Sequence, residues 1–188
     1  MKKIPSLFQR DSANPKILTT EYHLAAAWVI NGEGIATRKW DGTAVRILDG
    51  VLYARYDAKH GKPLPPDFTS CGDPDPITGH HPGWVPATRP QDRWIREAAG
   101  DLARWRNGWT FEAIGPKIGN NPEGRTEHTL IEHGASDLGA VPRTHAGLIA
   151  YFSAVDLEGV VWWRNVADPD CDKIKITGAA LGVPRRRV

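Results

Sequence analysis

Residues 36 to 47 read ATRKWDGTAVRI, and residues 48 to 56 continue as LDGVLYARY. Two Asp-Gly pairs, Asp41-Gly42 and Asp49-Gly50, each lie between apolar and β-branched residues. That pattern is the strongest short-range hairpin signal, because the favoured two-residue turns need residues that tolerate positive φ. The expectation is a three-stranded antiparallel meander over residues 35 to 56, with Lys39 at the end of its first strand. In the third strand Val51, Tyr53 and Arg55 share one face, and Leu52, Ala54 and Tyr56 share the other. A lysine at the end of an apolar run gains nothing from packing, so Lys39 needs another reason to be there.

Downstream, residues 61 to 90 are dense in Pro and Gly, as in GKPLPPDF and GDPDPITGHHPGWVP. The stretch is too irregular for helix or strand and too rich in Trp, Phe and Val for a linker, and it reads as an ordered excursion. From Pro90, PQDRWIREAAGDLARWRNG carries Trp94, Ile95, Ala98, Leu102 and Trp105 at helical spacing, with Gly108 as the stop. This predicts one amphipathic helix whose tryptophans belong to the core. WTFEAIG, residues 109 to 115, alternates as a strand with Glu112 on its polar side, and the loop GPKIGNNPEG follows. Thr144 to Val155 reads as a second helix. LEGVVWW reads as a strand with Glu158 near its start, and DKIKIT as a last strand with Lys173 and Lys175 on one face and Ile174 and Ile176 on the other.

The 188 residues suit one domain spanning 1–188. Hydrophobic residues at 40% and charged ones at 24% are globular proportions, which argues against disorder. No apolar run approaches the roughly 20 residues of a spanning helix. Met1-Lys2-Lys3 is followed by Ile4-Pro5-Ser6 and not by a signal-peptide core, so a cytoplasmic protein with no membrane partner is expected. Cys71 and Cys171 are too few for a disulfide framework. A zinc site from Cys71, His80 and His81 lacks any accompanying C-x-x-C, and an ordered Pro- and Gly-rich loop is the better reading. A net charge of +2 is too mild to establish nucleic-acid binding. The terminal Arg185, Arg186 and Arg187 offer phosphate contacts or simply a solvated chain end.

Lys39, Asp41, Arg46, Arg55, Glu112, Glu158, Lys173 and Lys175 are charged residues set singly among apolar neighbours. Taken one at a time, each is best read as the outward side of a half-exposed sheet. Together they suit a lysine nucleophile acting on a nucleotide phosphate. Such an amine must lose its proton, and neighbouring cations such as Lys173 and Lys175 favour the neutral form and offset charge on the α-phosphate. A carboxylate such as Glu158 can hold a divalent metal, and Glu112 can accept from a ribose hydroxyl.

The order K-x-D-G, a strand ending in a glutamate, E-G-V-V and K-x-K resembles the covalent nucleotidyltransferases: DNA ligases, RNA ligases and mRNA capping guanylyltransferases. The motifs here are Lys39-Trp40-Asp41-Gly42 with Arg46 downstream, FEAIG with Glu112, EGVVW from Glu158, and KIK from Lys173 to Lys175. Four motifs in order make coincidence a poor account. ATRKWDGT, DPITGHHPGWVP and EAIGPKIGNNPEG look most like the compact 5′ to 3′ RNA ligases that include the vertebrate enzyme. The resemblance implies an α+β, ATP-grasp-like nucleotidyltransferase domain with antiparallel sheets flanked by helices and no OB-fold domain.

By that similarity Lys39 is the nucleophile toward ATP, and Asp41, Gly42, Arg46, Glu112, Lys173 and Lys175 bind the nucleotide. Arg55 and Lys117 serve the 5′-phosphate of the strand, and Glu158 serves Mg2+ or Mn2+. Asn120 and Asn121 are weaker candidates for phosphate or base contacts. The implied partner is RNA with 5′-phosphate and 3′-hydroxyl ends, and a protein partner in place of the OB domain is a further option. No Phe, Tyr or Trp lies between Ile114 and Ala150 to stack on adenine, which leaves an aliphatic side chain, Tyr151 or Phe152. The alternatives are a DNA ligase, a guanylyltransferase, or a non-catalytic nucleotide or RNA-binding module.

Overall fold

Asp49 and Gly50 adopt φ of 51° and 74°, and this two-residue turn joins Thr43–Leu48 to Val51–Ala58 with Leu48 opposite Val51. The second Asp-Gly pair therefore makes the expected hairpin. The first does not. Ile35–Lys39 pairs with Gly159–Trp163, whereas Thr43–Leu48 takes Thr110–Ile114 as its other neighbour. Neither Asp41 nor Gly42 is among the positive-φ residues a tight hairpin would require. The meander is thus corrected to a passage between two sheets. Gly42 is needed there for close approach, since a Cβ on it would lie 2.2 Å from the Ala113 carbonyl oxygen.

The computed structural model describes residues 2–14, 17–75 and 78–185. In chain order the elements are β1 (Phe8–Arg10), β2 (Leu18–Tyr22), α1 (Ala27–Ile30), β3 (Ile35–Lys39), β4 (Thr43–Leu48), β5 (Val51–Ala58), β6 (Thr69–Ser70) and β7 (His81–Pro86). Then follow α2 (Arg93–Ala99), β8 (Thr110–Ile114), β9 (Thr129–Glu132), α3 (His145–Ala154), β10 (Gly159–Trp163) and β11 (Lys173–Thr177). The architecture is mixed α and β with antiparallel sheets and few helices, and no helix among the described residues is long and apolar enough to cross a membrane. The chain forms two compact units. One comprises Asp41–His133, joined by Lys2 and Lys3, and the other comprises Ile4–Trp40 with the chain from Gly134 onward.

The first unit is a six-stranded sheet in the order β6-β7-β5-β4-β8-β9. Val45, Ile47, Leu52, Ala54, Val85, Phe111, Ala113 and Leu130 line its core face and pack with Ile95, Ala98 and Ala99 of α2. Two expectations change here. His81–Pro86 is a strand despite Pro82 and Pro86, because β7 pairs with only Thr69 and Ser70 on its far side, where a missing N–H costs little. The long helix expected from Pro90 to Gly108 ends at Gly100, whose φ of 55° stops it, and Leu102–Arg104 form a separate 3-10 turn.

The second unit holds the two-stranded β1-β2 ribbon and the three-stranded sheet β11-β10-β3. Every residue of β10 is buried, as a central strand covered on both faces requires. Ala36, Val160, Trp162, Ile174 and Ile176 turn to a core completed by Phe8, Trp28, Leu148 and Phe152. Thr144 caps α3 by accepting from the Gly147 N–H, as its sequence position predicts. Arg143 donates to the carbonyls of Val29 and Glu33, tying down the turn that feeds β3.

Gly159 sits between Lys39 and Thr177 in this sheet, and a Cβ there would lie 2.3 Å from the Ile176 carbonyl oxygen. Gly159→Ala is expected to lower stability by about 1–3 kcal/mol, the usual cost of overpacking against groups that cannot yield. The urea midpoint measures it, and an unchanged midpoint would contradict the close approach.

Candidate functional site

Residues opposite one another in an antiparallel sheet project to the same face. The pairs Lys39 with Gly159, Thr37 with Val161, Val161 with Lys175, and Trp163 with Lys173 therefore put Lys39, Lys175 and Lys173 on one face of the three-stranded sheet. Ile174 and Ile176 are on the other, in the core. Gly159 puts no side chain in the row beside Lys39. Lys39 Nζ is 2.5 Å from Glu158 Oε2, with both side chains about one-quarter exposed, at 26% and 23%. The lysine ends β3 and the glutamate occupies the bend immediately before β10, so the pair meets where the two neighbouring strands end and outside the strand alternation.

The two K-x-K lysines differ. Lys173 is buried, its amine donates to the carbonyls of Pro169 at 2.6 Å and Cys171 at 3.0 Å, and it lies 4.3 Å from the centre of the Trp163 ring. Burial lowers its pKa from 10.5, against the opposing pull of Cys171 and the aspartates 170, 168 and 172. Lys175 is half-buried, and its backbone N–H donates to Pro5, whose segment runs along the outer edge of β11. Arg38 projects to the core side of β3, with its guanidinium 3.9 Å from the centre of the Trp40 ring, and Trp40 Nε1 donates to Ser136 Oγ at 3.2 Å.

In the other unit, the face opposite α2 carries Arg46 between Tyr53 and Thr110, Arg55 opposite Trp84, and Glu112 between Ala44 and Ile131. Arg46 Nε and Trp84 Nε1 are buried with no hydrogen-bond partner among the described residues. Unmet buried donors of this kind call for an acceptor. Both oxygens of Glu112 have a partner: Oε1 accepts from the Gly42 N–H at 3.1 Å, and Oε2 lies 2.9 Å from His133 Nε2. Glu123 Oε1 accepts from the Asp41 N–H at 3.0 Å, so consecutive backbone donors of the K-x-D-G motif are each held by a carboxylate. Arg55 Nε is 3.2 Å from Asp57 Oδ1.

The motif Lys39-Trp40-Asp41-Gly42 spans the boundary between the units: Lys39 and Glu158 belong to one, Asp41, Gly42, Arg46, Arg55 and Glu112 to the other. Lys117 is exposed in the loop after β8, where its backbone N–H donates to His128 Nε2. Asn121 is spent on that loop, donating to the Arg125 carbonyl and accepting the Arg125 N–H, and Asn120 has a positive φ of 62°. Phe152 is buried in the core and Tyr151 packs against it, so Phe152 is not open for adenine stacking. Arg185 pairs with Asp156, while Arg186 and Arg187 lie outside the described residues. Among the described residues no cluster of three or more His, Cys, Asp or Glu is suited to a metal, and Cys71 and Cys171 are free thiols.

Sequence reading missed His133 and Glu123. His133 had a signal: Thr129, Ile131 and His133 alternate, which puts the histidine on the Glu112 face once β9 is recognised as a strand. Glu123 sits in an irregular loop and had none. The sequence matches no protein-family model, and no curated protein matches it. The functional reading accordingly rests on residues and geometry.

The lowered pKa of Lys173 has a consequence for stability. Between that pKa and 10.5 the unfolded chain binds more protons than the folded one, so stability rises with pH across this window. The difference in urea midpoint between the native chain and Lys173→Met is expected to shift in favour of the native chain as pH climbs toward 10.5. A difference that stays flat would contradict burial of the amine.

Proposed function

We propose that this protein is an ATP-dependent RNA ligase of the covalent nucleotidyltransferase type, with the ATP-grasp-like fold of that superfamily. The observation that carries the reading is Lys39, a lysine fixed at the end of a strand, 2.5 Å from a carboxylate, on a sheet face that bears two further lysines. A binding module has no need of a nucleophile. A nucleophile needs such an arrangement, because its nitrogen must be held in line with the phosphorus it attacks.

In the proposed reaction the Lys39 Nζ lone pair attacks the α-phosphorus of ATP. The bond from that phosphorus to the bridging oxygen breaks, pyrophosphate leaves, and Nζ loses a proton, giving a lysyl adenylate. The contact with Glu158 Oε2 opens for this step. AMP then passes to the 5′-phosphate of an RNA strand and releases the lysine, and a 3′-hydroxyl displaces AMP to join the ends.

Lys175 is the cation assigned to the AMP phosphate. Lys173, committed to the Pro169 and Cys171 carbonyls, reaches a phosphate only by giving them up, and otherwise anchors the turn before β11. Glu112 is assigned to a ribose hydroxyl. Arg46, with its unmet buried Nε, and Arg55 are assigned to phosphate oxygens of nucleotide or strand, with Lys117 as a further strand contact. Asp41 orients the segment that follows the nucleophile.

Mg2+ or Mn2+ suits Glu158, because a hard cation bound chiefly through substrate phosphates needs only one or two protein carboxylates. When bound it polarises phosphoryl oxygens and neutralises the leaving pyrophosphate.

Sealing assays distinguish this reading from its neighbours. With ATP and magnesium, joining of 5′-phosphate and 3′-hydroxyl RNA ends is expected, with loss of at least about a thousandfold in Lys39→Ala, the scale on which removing a covalent nucleophile acts. Sealing of nicked duplex DNA in preference to RNA would identify a DNA ligase. Covalent labelling by GTP instead of ATP would identify a guanylyltransferase, and nucleotide binding with no covalent adduct would identify a binding module.

A further inference from the structure

We infer that His133 is a positioning residue for Glu112 and sets how strongly the site selects a ribose hydroxyl on its nucleotide, an inference that rests on the assignment of Glu112 to the ribose. His133 follows β9, and its ring bridges two residues of β8: Nε2 is 2.9 Å from Glu112 Oε2, and Nδ1 is 3.0 Å from Thr110 Oγ1. The imidazole is 16% exposed and the carboxylate 12%, so water competes weakly for either. Thr110 is buried, and Arg46 lies beyond it in the same row of the sheet.

The donor and acceptor inventory fixes the direction of these bonds. An ionised carboxylate only accepts, whereas a threonine hydroxyl both donates and accepts. With a neutral ring, the Thr110 hydroxyl donates to Nδ1 and the ring proton sits on Nε2. With a charged ring, both ring N–H groups donate. In either state Nε2–H donates to Glu112 Oε2. Since Oε1 already accepts from the Gly42 N–H, the carboxylate is pinned through both oxygens. About four lone-pair directions exist on a carboxylate, and those left can take only donors. A 2′- or 3′-hydroxyl of ribose is such a donor, and a deoxy position is not.

Without His133, Glu112 keeps only the Gly42 contact and swings about its side-chain torsions, so its remaining lone pairs are no longer aimed. The loss falls on the hydroxyl and not on the phosphates, which separates positioning from general damage. Residues that orient the groups acting on substrate commonly have this character.

The test is self-adenylylation by the full chain with ATP, 2′-deoxy-ATP and 3′-deoxy-ATP in magnesium, for the native protein and its His133→Ala, His133→Gln and His133→Asn variants. The native chain is expected to prefer ATP over at least one deoxy analogue. His133→Ala is expected to shrink that preference by about tenfold through a raised KM for ATP, the scale of one lost charge-assisted hydrogen bond. His133→Gln, which can still aim an N–H at Oε2, is expected to restore most of it, and the shorter His133→Asn is not. Equal losses with all three nucleotides, leaving the ratios unchanged, would overturn the inference while the lysyl transfer stands. So would a native chain that labels equally well with all three. No label on the native chain from any of them would remove the functional reading itself, and this inference with it.

Discussion

Strand β10 is the constraint on which the lysine-bearing unit depends. Gly159–Trp163 is apolar at every position and buried throughout, so it can only be a central strand with a neighbour on each edge. Those neighbours are β3 and β11, and once the register is set, Lys39 stands opposite Gly159 and one step from Glu158. Backbone pairing thus places the two residues within side-chain reach, and the bend at Glu158 lets its carboxylate meet Lys39 Nζ. Gly159 completes the arrangement by leaving no side chain in the row where Lys39 projects.

The six-stranded unit solves a different problem. Its core face is a conventional packing of β-branched and aromatic residues against α2, and its other face is charged, with buried nitrogens on Arg46 and Trp84 that meet no partner among the described residues. Glu112 and Glu123 hold the backbone N–H groups of Gly42 and Asp41, and His133 holds Glu112. Carboxylates in this unit thus govern the backbone that immediately follows the lysine.

Much of this was legible in the amino-acid sequence, for reasons that differ by element. The strands ending in Lys39, bearing Glu112 and carrying KIK were readable because alternation sets one face against another, and α3 because Thr144 marks its start. The Asp49-Gly50 hairpin was readable because its turn chemistry is local. Asp41-Gly42 carries the same two letters and does another job, because its partners, Glu123 and Glu112, lie 82 and 70 residues away. Pairing at that range leaves no local mark. The β7 strand was hidden by its prolines, which matter less beside a two-residue neighbour. The hydrogen bonds of Lys173 to its own loop were hidden as well, since a lysine on an alternating strand reads the same whether its amine points to a ligand or folds back.

The account stands on Lys39 as a nucleophile. The most direct measurement is incubation of the purified chain with ATP labelled at the α-phosphate and magnesium, followed by denaturing separation and peptide mass spectrometry of the adduct. The account predicts AMP covalently attached at Lys39 and no adduct on Lys39→Ala. An unmodified chain, or AMP attached to any other residue with Lys39→Ala still labelled, would contradict it.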